Sequence, residues 1–204
     1  MKEYKKELLG FTAGNFDLLH PGYIKCFKEA KKYCDKFIVF LQRDPSLHRK
    51  SKYKPVIPIF DRYEALKSIR YVDEVYTYQT EEELYELIKF WKPDVRILGE
   101  DYIGRTDFTG YDLPQKVVYT TRSHGWSTTK LKDLITEQTL KQNPEWAKEW
   151  FGRDETIGDK KSFTGDDLPP KIVYTTRSHG WSTTKLKDLI TDQTLKQRGQ
   201  KDAK

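Results

Sequence analysis

Apolar and polar positions along the chain change period several times, and each change marks an element. Residues 8–13 (Leu-Leu-Gly-Phe-Thr-Ala) are a short apolar run that halts at Gly14. From Pro21 to about Cys34, Ile24, Phe27, Ala30 and Lys31 recur at helical spacing. Residues 36–42 (Lys-Phe-Ile-Val-Phe-Leu-Gln) are apolar and rich in β-formers, as in a strand covered on both faces. A basic loop follows from His48 to Lys54, then a helix over 59–70 and a short strand over 74–78. Glu81 to Trp91 is helical again and is ended by Pro93. Strands over 94–99 and 116–120 and a helix over 127–135 with a Ser/Thr entry complete the pattern.

Strands that alternate with helices predict the α/β class: a Rossmann-like parallel five-stranded sheet with helices on both faces. Ligands of such sheets bind beyond the carboxyl ends of the strands, where the strand order reverses. The loops after the first, second, fourth and fifth strands are therefore the places for chemistry.

An internal repeat interrupts this simple picture. Residues 108–142 recur at 163–197, offset by 55, and only Tyr111/Asp166, Gln115/Pro170, Val117/Ile172 and Glu137/Asp192 differ. One copy supplies the last strand and helix of an α/β domain over 1–142. The other is a duplicated strand–loop–helix in a C-terminal extension over 143–204, with no sheet of its own. Repeat architectures need at least three units to bury a continuous core, so this is not a repeat protein. Three arrangements of the second copy stay open: packing against the domain, exchange with a partner subunit, or an inert tail.

Composition narrows the partners. No apolar run approaches the roughly 20 residues of a membrane span, and the charged start leads into no signal-like apolar stretch. Both point to a soluble, cytoplasmic chain without membrane contact. The net charge of +6 is spread out, with 24 basic against 20 acidic residues in 1–136 and 13 against 11 in 137–204. Nucleic-acid binding would favour a concentrated patch. Cys26 and Cys34 lie two helical turns apart, too far for a disulfide, and read as free thiols. Four histidines without a CxxC pair argue against a structural zinc site.

The loop after the first strand reads Gly14-Asn15-Phe16-Asp17-Leu18-Leu19-His20-Pro21-Gly22-Tyr23. Gly14 allows a sharp exit from the strand, and Pro21 suits the first position of a helix. The free amides at that helix start favour a phosphate. His20 can donate to a phosphate oxygen as charge builds in a transition state, and Gly22 lets a ligand approach the backbone closely. A capped helix entry carrying a surface histidine is the plain alternative.

The same ten residues resemble the GTFDLLHxGH signature of the cytidylyltransferases, above all the glycerol-3-phosphate cytidylyltransferase family. The likeness continues through Ala65 to Val75, through Gly99-Glu100-Asp101-Tyr102, and through Arg122-Ser123-His124-Gly125-Trp126-Ser127-Thr128-Thr129, similar to the family's RTEGISTT. The resemblance implies transfer of a nucleotidyl group from CTP to a phosphorylated small alcohol or sugar alcohol, with release of pyrophosphate. By the same resemblance Asn15, Phe16, His20, Gly22, Tyr23, Lys52, Asp101, Arg122, Ser127, Thr128 and Thr129 bind the nucleotide. His20, Lys50 and Arg122 act in catalysis, and Lys50, Arg62 and Arg70 meet the acceptor phosphate. It also implies a homodimer, and Mg2+ held mainly by the triphosphate rather than by protein ligands.

Three positions depart from the family pattern. Tyr23 stands in place of the second histidine of HxGH, and it is bulkier and uncharged near neutral pH. Glu81-Glu82-Glu83 stands where the glycerol phosphate family offers a lysine, which disfavours that acceptor. His124 and Trp126 replace a Glu and an Ile; His124 can stand in for the missing imidazole, and Trp126 can stack on a base. Two further readings follow: a nucleotide-binding chain with impaired catalysis, or an adenylyltransferase acting on another phosphate acceptor.

Overall fold

In the computed structural model, which describes residues 6–49, 52, 54–142 and 183–202, five strands form one wholly parallel sheet. They are β1 (Leu9–Gly14), β2 (Lys36–Gln42), β3 (Glu74–Tyr78), β4 (Val95–Gly99) and β5 (Lys116–Thr120). The order is β3-β2-β1-β4-β5, so the chain winds outward from β1 in one direction and then returns to its other side. The reversal lies between β1 and β4. There the Thr12 hydroxyl donates to the Ile97 carbonyl at 3.0 Å, and Thr120 does the same from β5 to Leu98 at 3.2 Å.

Strand β2 explains the layering. Its side chains alternate between faces, and both faces are covered. Phe37, Val39 and Leu41 pack with Phe27 and Ala30 of α1 (Pro21–Ala30) and Leu66 of α2 (Ile59–Lys67). Ile38 and Phe40 pack on the opposite face with Phe11, and with Leu84 and Ile88 of α3 (Glu81–Trp91). Each such fully buried side chain contributes about 1.5–3 kcal/mol.

Two buried arginines tie loops to this core. Arg96 of β4 lies between the Phe11 and Phe108 rings, 5.2 and 4.6 Å from their centroids, and donates to the Thr109 carbonyl. It thereby anchors the connection into β5, and burial pushes its pKa down to about 10. Arg62 of α2 is 2% exposed. Its guanidinium donates to the carbonyls of Ile57 at 2.9 Å and Gln42 at 2.8 Å, and also to those of Asn15 and Arg43. It joins the loops after β1 and β2.

The chain divides into two compact units, Met1–Thr128 and Thr129–Lys204. The boundary falls at the start of α4 (Thr128–Gln142), so nearly all of that helix groups with the second unit. Within the second unit lies α5 (Thr183–Asp202), the helix of the second copy. The two related helices bury the same positions, Thr136 and Thr139 in α4, Thr191 and Thr194 in α5. Leu134 and Leu189 are exposed in both, and Lys132 donates to Gln193 at 3.0 Å. The helix of the second copy therefore sits with the helix it duplicates, while its strand and loop, residues 163–182, lie outside the described residues. Among the described residues no helix is long and apolar enough to cross a membrane.

Candidate functional site

The carboxyl ends of β1 and β4 flank the reversal in strand order, and the loops leaving them carry the candidate chemistry. After Gly14 the backbone turns through Phe16 at a φ of 44°, uncommon for an aromatic residue. Its ring is 4% exposed and wedges against Tyr23 and Phe27, at centroid distances of 5.1 and 5.7 Å. Apolar burial thus turns the Phe16 ring into the core and leaves its backbone in the loop. Asp17 fixes the same loop from beneath, accepting the Ile57 N–H at 3.0 Å.

His20 precedes Pro21 and caps α1 with its backbone, not its ring. The ring is 7% exposed, and its Nδ1 is buried without a hydrogen-bond partner. Desolvation, followed by the charges of His124 and Arg122, holds its pKa below the ordinary 6.5. A neutral imidazole therefore stands at the positive end of α1, whose first turn carries no acidic residue. Tyr23 stacks on it at 4.3 Å, and the Tyr23 hydroxyl lies 3.2 Å from the Thr128 hydroxyl. Burial raises the pKa of Tyr23, which keeps the phenol neutral.

The loop after β5 folds over this group. Gly125 at a φ of +74° allows the reversal, and its N–H donates to the Arg122 carbonyl at 3.0 Å. Trp126 donates its backbone N–H to His124 Nδ1 at 3.1 Å, and its ring lies 6.3 Å from that of His20 in near-parallel orientation. Arg122 receives a carboxylate from Asp101, 3.1 Å away, and donates its backbone N–H to Glu100 at 2.7 Å. About half of the Arg122 side chain remains exposed.

Gly22 sits at the centre of this arrangement. A Cβ there would come within 2.7 Å of His124 Cε1 and 2.9 Å of His20 Cε1 and Nδ1. Gly22→Ala is therefore expected to leave the melting temperature nearly unchanged, since alanine favours the helix by roughly 0.5–1 kcal/mol. The same change is expected to lower turnover by about 10²-fold through displaced imidazoles. Thermal unfolding and a turnover assay on one preparation check the two effects.

Of the residues predicted for the site, the structure brings Asn15, His20, Gly22, Tyr23, Asp101, Arg122, Ser127 and Thr128 to this end of the sheet. Lys52 is exposed beyond β2, Thr129 opens the second unit, and Lys50 lies outside the described residues. Arg62, expected from the sequence at the acceptor phosphate, lies buried with its guanidinium on four backbone carbonyls. Arg70 carries the same expectation. It lies between α2 and the start of β3, at the amino ends of the parallel strands and away from the loops described, with its guanidinium on the Tyr71 hydroxyl. The acidic run of α3 is occupied too: Glu81 pairs with Arg49, and Glu83 with Arg43 at 3.1 Å. Sequence reasoning missed Asp17 and Arg96, and it missed the burial of Arg62, although Arg62 and Leu66 share a face at helical spacing.

Among the described residues no three His, Cys, Asp or Glu side chains converge as a metal site. The side chains of His20, His124 and Arg122 that do converge are donors and cations, which suit an anion.

A family model described as cytidylyltransferase-like matches residues 11–188. Over 126 residues the chain is 39% identical to the "Bifunctional protein HldE" of Nitratiruptor sp., covering 61% of this chain and 27% of that protein. It therefore spans about a quarter of the length of that relative. Over 101 residues it is 38% identical to the FAD synthase of Thermococcus kodakarensis, covering 50% of this chain and 68% of that one. The lipopolysaccharide core biosynthesis protein of Thermoplasma volcanium superposes with a TM-score of 0.47 at 24% identity, covering 56% of this chain and 96% of that chain.

Proposed function

The chain belongs to the cytidylyltransferase-like family of nucleotidyltransferases, and we propose that it transfers a nucleotidyl group from a magnesium-bound nucleoside triphosphate to a phosphorylated small molecule. The observation that carries this reading is the convergence of neutral His20, His124 and Arg122 beside the amino end of α1. Such a group of donors suits a triphosphate, because aligned amides, a fixed guanidinium and imidazole N–H groups all favour phosphate oxygens.

An oxygen of the acceptor phosphate attacks the α-phosphorus in line. The bond to the bridging oxygen of the β-phosphate breaks, and pyrophosphate leaves. No covalent nucleophile is required; the chain's residues orient the phosphates and offset the charge that develops on them. Magnesium bound with the triphosphate would neutralise part of that charge.

ATP is the favoured donor. The FAD synthase relative forms a product in which an adenylyl group is joined to a phosphorylated alcohol, and its likeness extends over two thirds of that protein. CTP is the second reading, favoured by the resemblance of Gly14–Tyr23 and Arg122–Thr129 to the glycerol-3-phosphate cytidylyltransferases. Pyrophosphate release from each triphosphate, measured over a panel of phosphorylated alcohols and sugars, tests both. Release with one nucleotide and one class of acceptor supports the reading and fixes the base. Nucleotide binding with no release on any acceptor would instead favour a chain impaired at Tyr23.

A further inference from the structure

We infer that His124 is a catalytic residue whose Nε2–H donates to the nucleotide's phosphate oxygens, providing the second imidazole of the site opposite His20. The inference rests on the nucleotidyl-transfer reading above and gives His124 a defined donor atom and a catalytic role within it.

Three observations carry it. First, the two imidazoles meet at one point: a Cβ on Gly22 would touch His124 Cε1 at 2.7 Å and the His20 ring at 2.9 Å. Second, the backbone sets the donor atom of the His124 ring. The Trp126 backbone N–H donates to Nδ1 at 3.1 Å, so Nδ1 is the acceptor and the ring proton resides on Nε2. Third, Tyr23 is committed elsewhere. Its ring is held between His20 and Phe16, and its hydroxyl is engaged with Thr128. The turn closed by Gly125 also keeps His124 beside Arg122, so the imidazole donor and the guanidinium act on the same anion.

The imidazole can be divided by substitution in the full-length chain. His124→Asn keeps an oxygen near Nδ1 that can accept the Trp126 N–H, but it has nothing at the Nε2 position. His124→Gln places an amide donor near Nε2. Loss of a preorganised donor to a developing oxyanion lowers kcat by about 10²–10³-fold. His124→Asn is therefore expected to lose that much with nucleotide affinity changed only a few-fold, while His124→Gln retains a substantial part of the rate. A purely structural role for His124 would give the reverse order. Adding Tyr23→His to His124→Asn restores part of the lost rate, because a second imidazole returns to the α1 side.

Imidazole NMR of the wild-type chain, titrated with inorganic triphosphate and magnesium, gives a readout independent of turnover. The His124 Nε2 signal is expected to shift along with that of His20. Turnover that survives His124→Asn within threefold, or triphosphate binding that leaves the His124 signal in place, overturns the assignment alone. Failure of the wild-type chain to bind any nucleotide overturns the nucleotidyl-transfer reading and the assignment with it.

Discussion

Replacing His20 with alanine is expected to lower kcat for nucleotidyl transfer by about 10²–10⁴-fold, the usual range for a positioned proton donor or acceptor. Nucleotide affinity is expected to change far less, because the helix start and Arg122 remain. The reason is the setting of the ring. It is buried, its Nδ1 has no partner, and burial together with the neighbouring His124 and Arg122 keeps it neutral. A neutral ring keeps one N–H to give and one lone pair to accept. Comparing kcat with the nucleotide Kd for the variant separates this role from simple binding.

The same depressed pKa has a consequence for stability. Folded His20 resists protonation at a pH where an unfolded histidine, with its ordinary value of 6.5, takes up a proton. The unfolded state therefore binds more protons in that window. The His20 contribution is fully present above pH 6.5, declines as pH falls, and is lost once the folded value is passed. His20→Ala is expected to show a shallower decline in melting temperature between pH 7 and the acid range than the wild type.

Arg62→Ala is expected to have the largest effect on stability, because each buried carbonyl left without a donor costs about 1–3 kcal/mol. Four carbonyls, of Asn15, Gln42, Arg43 and Ile57, would lose their donor at once. Because three of these, Asn15, Arg43 and Ile57, lie in the loops after β1 and β2, the variant is also expected to lose nucleotide affinity without any direct contact having been removed. Arg62→Lys would rescue little, since an ammonium cannot reproduce the planar fork. Arg70→Ala is the matched control: it is exposed and expected to change stability by less than about 0.5 kcal/mol. Urea denaturation of the three variants decides the comparison.

The contrast between Arg62 and Arg70 also shows what could be read from the chain and what could not. The strand and helix pattern emerged directly because β2 is apolar throughout and the helices alternate with strands. The loops from Gly14 to Tyr23 and from Arg122 to Thr128 carried their own motifs, so their meeting at the strand ends followed from the parallel topology. Arg62 gave no such signal of its own, because its burial shows only when the face it shares with Leu66 is counted. Phe16 shows a related limit of motifs. Its place in one suggested a ligand contact, but the motif did not show that its ring packs beside Tyr23 and Phe27 in the core. His124 was visible as a substitution in the pattern, but its position beside Gly22 depends on the turn at Gly125, which only the three-dimensional path fixes. The duplication was plain in the sequence, yet the company its helix keeps with α4 was open.

The central claim is that one triphosphate site is built per chain from the loops after β1, β4 and β5. Calorimetric titration of the full-length chain with magnesium–ATP and magnesium–CTP tests it most directly. The account predicts one nucleotide bound per chain, with binding opposed by inorganic triphosphate competing for the same donors. Two sites per chain, or no binding of either nucleotide, would contradict it.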